Sequence, residues 1–351
     1  MENIKFDIKQ IVRPNVLGLS PYSSARDEYV SDGSTMIFLD ANENPFENGV
    51  NRYPDPQQRS LKAELAKLKG VSETNILLGN GSDEVLDLIF RAFCEPSVDN
   101  IITLPPTYGM YKVLADINTI DNRKVLLQTG FQPDVTKILE TVDEYTKVIF
   151  LCSPNNPTGN SFSEESIISI LEDFNGLVVI DEAYIDFSSK NSWLQKIEYY
   201  PNLVITQTLS KAYGLAGIRL GLCYASEEII NILNKIKPPY NVNELTQQRA
   251  LERVINYDKV TFEVSKILKE REALIKALSK ISFVEKIYES DANFVLVKID
   301  DANKRYQQLL ELGIVVRNRS TQPLCKNTLR FTVGTEEENH KLIDEMIKID
   351  N

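Results

Sequence analysis

The 351-residue sequence predicts an α/β fold: a large domain on a mostly parallel sheet covered by helices, followed by a smaller α+β domain. Six short runs, "NILLG" (75–79), "NIITL" (100–104), "KVLLQ" (124–128), "KVIFLC" (147–152), "LVVID" (177–181) and "LVITQ" (203–207), carry Ile, Val and Leu at consecutive rather than alternating positions. A strand that is apolar on both sides needs cover on both faces, which is the situation inside a parallel sheet. Helix-periodic segments lie before the first run at 57–69 and between later ones at 82–93 and 163–174, and that alternation is what builds such a sheet.

The first 35 residues show no strong strand pattern and are expected to pack with the smaller domain. The helix at 163–174 is opened by Ser163, whose hydroxyl can accept from an orphan amide of the first turn, with Glu165 and Ser166 following. Residues 244–280 are charged, helix-periodic and free of Gly and Pro, a connector leading out of the sheet domain. Beyond it, "VEKIYES", "ANFVLVKI", "IVVRNR" and "TLRFTVG" read as strands, with helices at 301–312 and 335–349. The expected division is therefore 1–35 as an N-terminal segment, 36–245 as the large domain and 246–351 as the small one.

Composition removes several chemistries. A net charge of −11 sets up a field that repels nucleic acid and anionic membrane surfaces, so neither is an expected partner, and any bound phosphate needs a local basic pocket. No apolar run approaches the roughly 18 residues of a spanning helix, and the start of the chain does not read as a targeting signal; the expected location is the cytoplasm. Cys94, Cys152, Cys223 and Cys325 are far apart and read as reduced core thiols. The single histidine, His340, lies in a charged C-terminal helix pattern, which undermines any Ser-His-Asp triad, Cys-His pair or His-based metal site; no metal is expected. The hard chemistry must come from Lys, Tyr, Asp or a cofactor.

In doubly wound sheets ligands bind outside the carboxyl ends of the strands, so the polar residues just after each apolar run matter most. "NGSDE" follows the first run and offers Gly81, Ser82 and Asp83 at the start of a helix, where free amides attract a phosphate. "SPNNPTG" follows the fourth, a turn that aims Asn155 or Asn156 at one place. "IDEAY" puts Asp181 at the end of a buried strand, where a carboxylate is unfavourable without a positive partner. "TLSKAYGLAGIRLG" (208–221) sets Lys211 alone among small and apolar residues, with Thr208 and Ser210 before it and Arg219 eight positions on.

These groups answer the needs of one cofactor, pyridoxal 5'-phosphate. Lys211 can bond its aldehyde carbon, and Asp181 can keep the ring nitrogen protonated. Asn156 and Tyr184 can hydrogen-bond the phenolic oxygen, and Tyr108 of "PPTYGMY" can lie flat on the ring. Gly81, Ser82, Asp83, Thr208, Ser210 and Arg219 can surround the phosphate.

The order GNGSDE, PPTYGMY, SPNNPTG, DEAY, TLSKAYGLAGIRLG, LRFTVGT resembles the fold-type I pyridoxal-phosphate aminotransferases and runs through nearly the whole chain. More narrowly, "SPYSSAR" (20–26), "LDANENP" (39–45), "NRYPDP" (51–56), "KPPYNVNELTQQRA" (237–250) and "IVVRNRSTQPLCKNTLRFTVGT" (314–335) are similar to the histidinol-phosphate aminotransferase family. The resemblance implies a homodimer in which Tyr53 reaches the cofactor phosphate of the neighbouring subunit. It implies transfer of an amino group between L-histidinol phosphate and 2-oxoglutarate, giving imidazole-acetol phosphate and L-glutamate, in histidine biosynthesis. It carries Arg330 over as the carboxylate-binding arginine, Arg317 as its partner for the substrate phosphate, and Tyr22 and Asn42 as residues of segments folded over the substrate; Arg319 reads as a solvated neighbour. A threonine-phosphate decarboxylase or an aromatic amino acid aminotransferase would share every cofactor residue, and "SPYSSAR" favours the first reading. A non-catalytic cofactor-binding module would be expected to lack the lysine or carry a DNA-binding domain.

Overall fold

The computed structural model describes residues 6–20 and 36–350; Tyr22 and most of "SPYSSAR" lie outside the described residues. In chain order the elements are α1 (Ile8–Ile11), α2 (Pro14–Leu17), α3 (Arg59–Lys69), β1 (Ile76–Asn80), α4 (Gly81–Phe93), β2 (Asn100–Thr103), α5 (Met110–Ile117), β3 (Asp121–Lys124), α6 (Val135–Thr141), β4 (Thr146–Cys152), α7 (Glu164–Asp173), β5 (Leu177–Asp181), β6 (Leu203–Thr208) and β7 (Leu220–Ala225). There follow α8 (Glu227–Ile236), α9 (Glu244–Ile255), α10 (Tyr257–Leu278), β8 (Val284–Ile287), β9 (Phe294–Ile299), α11 (Ala302–Glu311), β10 (Arg317–Asn318), β11 (Thr328–Thr332) and α12 (Glu336–Asp350). As expected, Ser163 caps α7, its side chain accepting from the Ser166 amide.

The large sheet has the order β1-β7-β6-β5-β4-β2-β3. All its strands are parallel except β7, which is antiparallel to both neighbours. Successive strand residues face opposite cores, as the unbroken apolar runs require. Ile76, Leu78, Ile149, Leu151, Val178 and Ile180 join one cluster, and Leu77, Val148, Phe150, Leu177 and Val179 the other. The smaller sheet, β10-β11-β9-β8, is wholly antiparallel and has its own core of Val295, Val297, Leu329, Phe331, Leu342 and Met346.

Several expectations change. "KVLLQ" is not a strand: β3 lies just before it, and the chain leaves the edge of the sheet with Val125 and Leu127 turned inward and their amides still bonded to the Thr103 and Pro105 carbonyls. Strand β7, "LGLCYA", was not anticipated, nor were α5, α6 and α8. The stretch 244–280 is two helices, broken at Asn256, rather than one. The described part of the N-terminal segment packs on the large domain and not on the small one. Ile11, Val12 and Val16 are apolar side chains that bury beside α4 and α8, and Arg13 pairs with Glu95 at 3.0 Å. All four cysteines are buried and free, and His340 is exposed.

Candidate active site

The reversed strand β7 explains how Lys211 and Arg219 come together. Thr208 pairs with Gly221, so residues 209–219 form a loop at the carboxyl end of β6, and the chain returns directly beside it as β7. The same end of the sheet aligns Cys152, Asp181 and Thr206 on adjacent strands, and Asn80 of β1 with Leu220. Ser82, Asp83, Tyr108, Asn156, Asp181, Tyr184, Thr208, Ser210, Lys211 and Arg219 thus line one pocket, together with Cys152, Ala183 and Ala216.

At the floor of this pocket Asp181 is buried, accepting from the Tyr111 hydroxyl at 2.8 Å and from the Ala183 amide at 3.2 Å. Burial pushes its carboxyl above the ordinary range, a penalty that a cation beside it would offset. Lys211 lies 5.8 Å from the centre of the Tyr184 ring; its side chain is open to solvent, and the partial desolvation of its amine beside the pocket, reinforced by Arg330, lowers its ammonium below the usual lysine value. A lysine that sheds its proton readily is suited to bonding an aldehyde and to moving protons. Tyr184 is fixed edge-on against Phe294 of the small sheet, with ring centres 5.1 Å apart.

One wall is the turn from β1 into α4. Gly81 has φ 74°, and a Cβ there would stand 2.5 Å from the Arg219 guanidinium. Gly221 is equally constrained: its Cβ would meet the Gly81 carbonyl carbon at 2.2 Å. The two glycines let β7 press against the turn and bring Arg219, itself at φ 56°, over the start of α4. The N-cap residue Asn80 makes no side-chain cap bond; the Gly81 amide donates to the Arg219 carbonyl at 2.9 Å, which leaves the Ser82 and Asp83 amides of the first turn of α4 as a ready anion site. Asp83 enters differently from the expectation. Its carboxylate accepts from Tyr108 Oη at 3.0 Å and contacts Arg219 at 3.5 Å, so it orients those two groups, and only its amide can face an anion.

The opposite wall comes from the small sheet. Arg330 donates to Asn156 Oδ1, which leaves the Asn156 amide nitrogen to the pocket, and its guanidinium lies 4.9 Å over the Phe294 ring. Burial and Arg319 pull the Arg330 guanidinium down to about 10. Arg317 pairs with Arg330 across β10 and β11 and is exposed. Arg319 is half-buried rather than solvated, because the ladder turns it toward Arg330 and Tyr184.

Two expected residues lie elsewhere. Asn42, at φ 54°, and Tyr53 line a separate cleft with Arg52, Asn243 and Leu245, where Tyr53 stacks on Tyr240 at 4.5 Å. Tyr111 was missed. Only its place three residues after Tyr108, in the first turn of the following helix α5, hinted at it, and its partner Asp181 is 70 positions away.

The residues fit a phosphate-bearing pyridine. A buried carboxylate lacks a lysine or arginine at ion-pair distance among the described residues, a lysine stands in the pocket, and a glycine-lined helix start faces an arginine.

Residues 38–346 match the family model described as aminotransferase class I and II. A curated histidinol-phosphate aminotransferase of Flavobacterium johnsoniae is 69% identical over 97% of this chain and 98% of its own length. One of Bacteroides fragilis is 53% identical over 97% and 99%. Among solved structures, the histidinol-phosphate aminotransferase of Clostridium acetobutylicum superposes with a TM-score of 0.80 at 26% identity, covering 86% of this chain and 91% of that one. The Sinorhizobium meliloti enzyme, solved in complex with pyridoxal-5'-phosphate, shares the fold with a TM-score of 0.79 at 23% identity over 85% and 83%. The chain belongs to the class I and II aminotransferase family, and within it to the histidinol-phosphate aminotransferases.

Proposed function

We propose that the protein is a pyridoxal-phosphate-dependent aminotransferase that moves the amino group of L-histidinol phosphate to 2-oxoglutarate, yielding imidazole-acetol phosphate and L-glutamate, a step of histidine biosynthesis. One observation carries the reading: a single pocket holds Lys211 beside the buried Asp181, and Arg330 of the other sheet reaches its edge by donating to the lining residue Asn156. The names of relatives covering almost the whole chain support the choice of substrate.

Pyridoxal phosphate, when bound, supplies an electron-accepting ring joined to the substrate nitrogen, which makes the substrate Cα proton removable. Lys211 Nζ takes that proton, helped by partial desolvation and by Arg330, both of which favour its neutral form. Asp181 holds a proton on the ring nitrogen, itself positioned by Tyr111. Tyr108 would lie against the ring, while Asn156 and Tyr184 would donate to the phenolic oxygen. Ser82 and Asp83 would hold the cofactor phosphate through their amides at the start of α4, with Thr208, Ser210 and Arg219 around it, and Gly81, whose amide donates to the Arg219 carbonyl at 2.9 Å, would give it room by lacking a side chain. Arg330 binds the glutamate carboxylate, and Arg330 with Arg317 and Tyr22 binds the substrate phosphate.

A homodimer belongs to the same proposal, with Asn42 and Tyr53 turned toward the partner and Tyr53 reaching its cofactor phosphate. The exposed apolar side chains of Val50 and Leu245, which line that cleft, and of Ile37, Leu39 and Phe46 in the same stretch of chain support it. A division into a large and a small unit is supported by the separate core of the small sheet, which begins at Leu274, whereas Ala250 and Val254 of α9 pack in the core of the large sheet. Action in the cytoplasm fits water-soluble substrates and the lack, among the described residues, of a helix long and apolar enough to cross a membrane. The test is purified protein loaded with cofactor and given histidinol phosphate and 2-oxoglutarate, with glutamate release followed by a coupled dehydrogenase. Glutamate formation that is lost in Lys211→Ala is expected, and none from the wild type would refute the reading.

A further inference from the structure

Arg319 has a position that the functions assigned above do not use. The ladder pairs Arg317 with Arg330 and Asn318 with Leu329, and its next rung is the 2.9 Å bond from the Arg319 amide to the Thr328 carbonyl. Because side chains alternate along a strand, Arg317, Arg319 and Arg330 share one face of the small sheet. It is the face of Phe294 and Leu296, which pack with the large domain, whereas Leu329 and Phe331 point into the small core. Tyr184 of the Lys211 pocket rests on this face through Phe294.

Three arginines thus share one face beside the pocket: Arg330 bonds to its lining residue Asn156, Arg319 acts on Tyr184, and Arg317 stands exposed next to them. The Nε atoms of Arg319 and Arg330 are buried and have no hydrogen-bond partner among the described residues. Among those residues, no carboxylate forms an ion pair with any of the three. Burial and mutual repulsion hold the guanidinium groups of both Arg319 and Arg330 below the usual arginine value, so the cluster is unfavourable until an anion joins it. A carboxylate offers one charge and two oxygens, enough for a single guanidinium fork. A phosphomonoester offers up to two charges and three terminal oxygens, enough to engage more than one.

We propose that Arg319 is a third phosphate-binding arginine, acting beside Arg317 and Arg330, and that it sets the preference for a phosphorylated amino donor over the same donor without phosphate. The inference rests on the amino-transfer reading above and adds a specificity residue to it.

The experiment compares cofactor-loaded wild type, Arg319→Gln and Arg319→Lys. The second-order rate constants for histidinol phosphate and for histidinol are measured by stopped-flow absorbance, and the affinity for inorganic phosphate by calorimetry. In Arg319→Gln the ratio of the two rate constants is expected to fall about 10- to 100-fold, the equivalent of one charged hydrogen bond, with a parallel weakening of phosphate binding. Arg319→Lys, which keeps the charge without the fork, should fall between the two, and it decides the matter if the Gln variant does not fold. A purely structural role would lower both rate constants together and leave their ratio alone. Ratios within about twofold of a discriminating wild type overturn the role of Arg319 only. A wild type that does not prefer the phosphorylated donor overturns both this role and the substrate assignment.

Discussion

Replacing Asp181 by Asn isolates the electrostatic part of the proposed mechanism. The side chain is buried, and its two oxygens accept from the Tyr111 hydroxyl and the Ala183 amide. Asparagine has nearly the same shape, keeps an acceptor for the Ala183 amide, and lets the Tyr111 hydroxyl rotate to accept rather than donate. The fold should therefore hold, and the phosphate cradle around Gly81 and Arg219 should keep the cofactor bound. What is lost is the negative partner of a buried cation, worth about 3–5 kcal/mol. At about 1.36 kcal/mol per factor of ten, proton removal from the substrate should slow roughly 100- to 5,000-fold. Cofactor content by absorbance, together with single-turnover traces with glutamate, separates binding from chemistry. A variant that retains its cofactor and turns over within about fivefold of wild type would mean that Asp181 is only structural.

Arg330→Ala should damage both half-reactions by about 2–5 kcal/mol, because it removes a half-buried anion partner and the support of Asn156. Arg317→Ala should affect mainly the histidinol-phosphate half, and by only about 1 kcal/mol, because Arg317 is exposed; equal losses in the two half-reactions, read by stopped flow, would sink this division. Gly221→Ala places a methyl 2.2 Å from the Gly81 backbone and should lower the denaturant midpoint, by about 1–3 kcal/mol or more, together with cofactor retention; an unchanged midpoint would show that the turn yields freely. Burial lifts the Glu182 carboxyl to about 6 from an ordinary 4.5, although Ser192, Gln207 and Trp193 all donate to it. A value raised on folding stabilises the native state below about pH 4.5, and that stabilisation fades as pH rises through 6. The difference is worth about 2 kcal/mol, so wild-type stability measured against Glu182→Gln should drop by that amount between pH 4.5 and 7; a difference that does not change with pH contradicts it.

Much of the large domain was legible because a strand buried on both faces leaves a run of branched apolar residues and because its polar terminus is the next thing in the chain. Asp181 and Lys211 stand out for that reason: each carries charge where the local sequence is otherwise apolar or small. The direction of a strand leaves no such mark, so "LGLCYA" did not show that it doubles back to bring Arg219 beside Lys211. Asn256 divides a helix pattern that has no Gly or Pro to announce the break. Tyr111 and Arg319 depend on partners far away in the chain, and their roles follow from register and packing that no local window contains. The sequence motif around Asp83 indicated the phosphate wall, but not that its carboxylate faces Tyr108 and Arg219.

The central claim, that the pocket passes nitrogen from histidinol phosphate to 2-oxoglutarate, is tested most directly by following the nitrogen itself. Purified protein with pyridoxal phosphate, 2-oxoglutarate and histidinol phosphate labelled with nitrogen-15 at the amine should yield labelled glutamate and imidazole-acetol phosphate in equal amounts, with the label retained. Consumption of histidinol phosphate without labelled glutamate, or no consumption by a cofactor-loaded protein, would contradict the account.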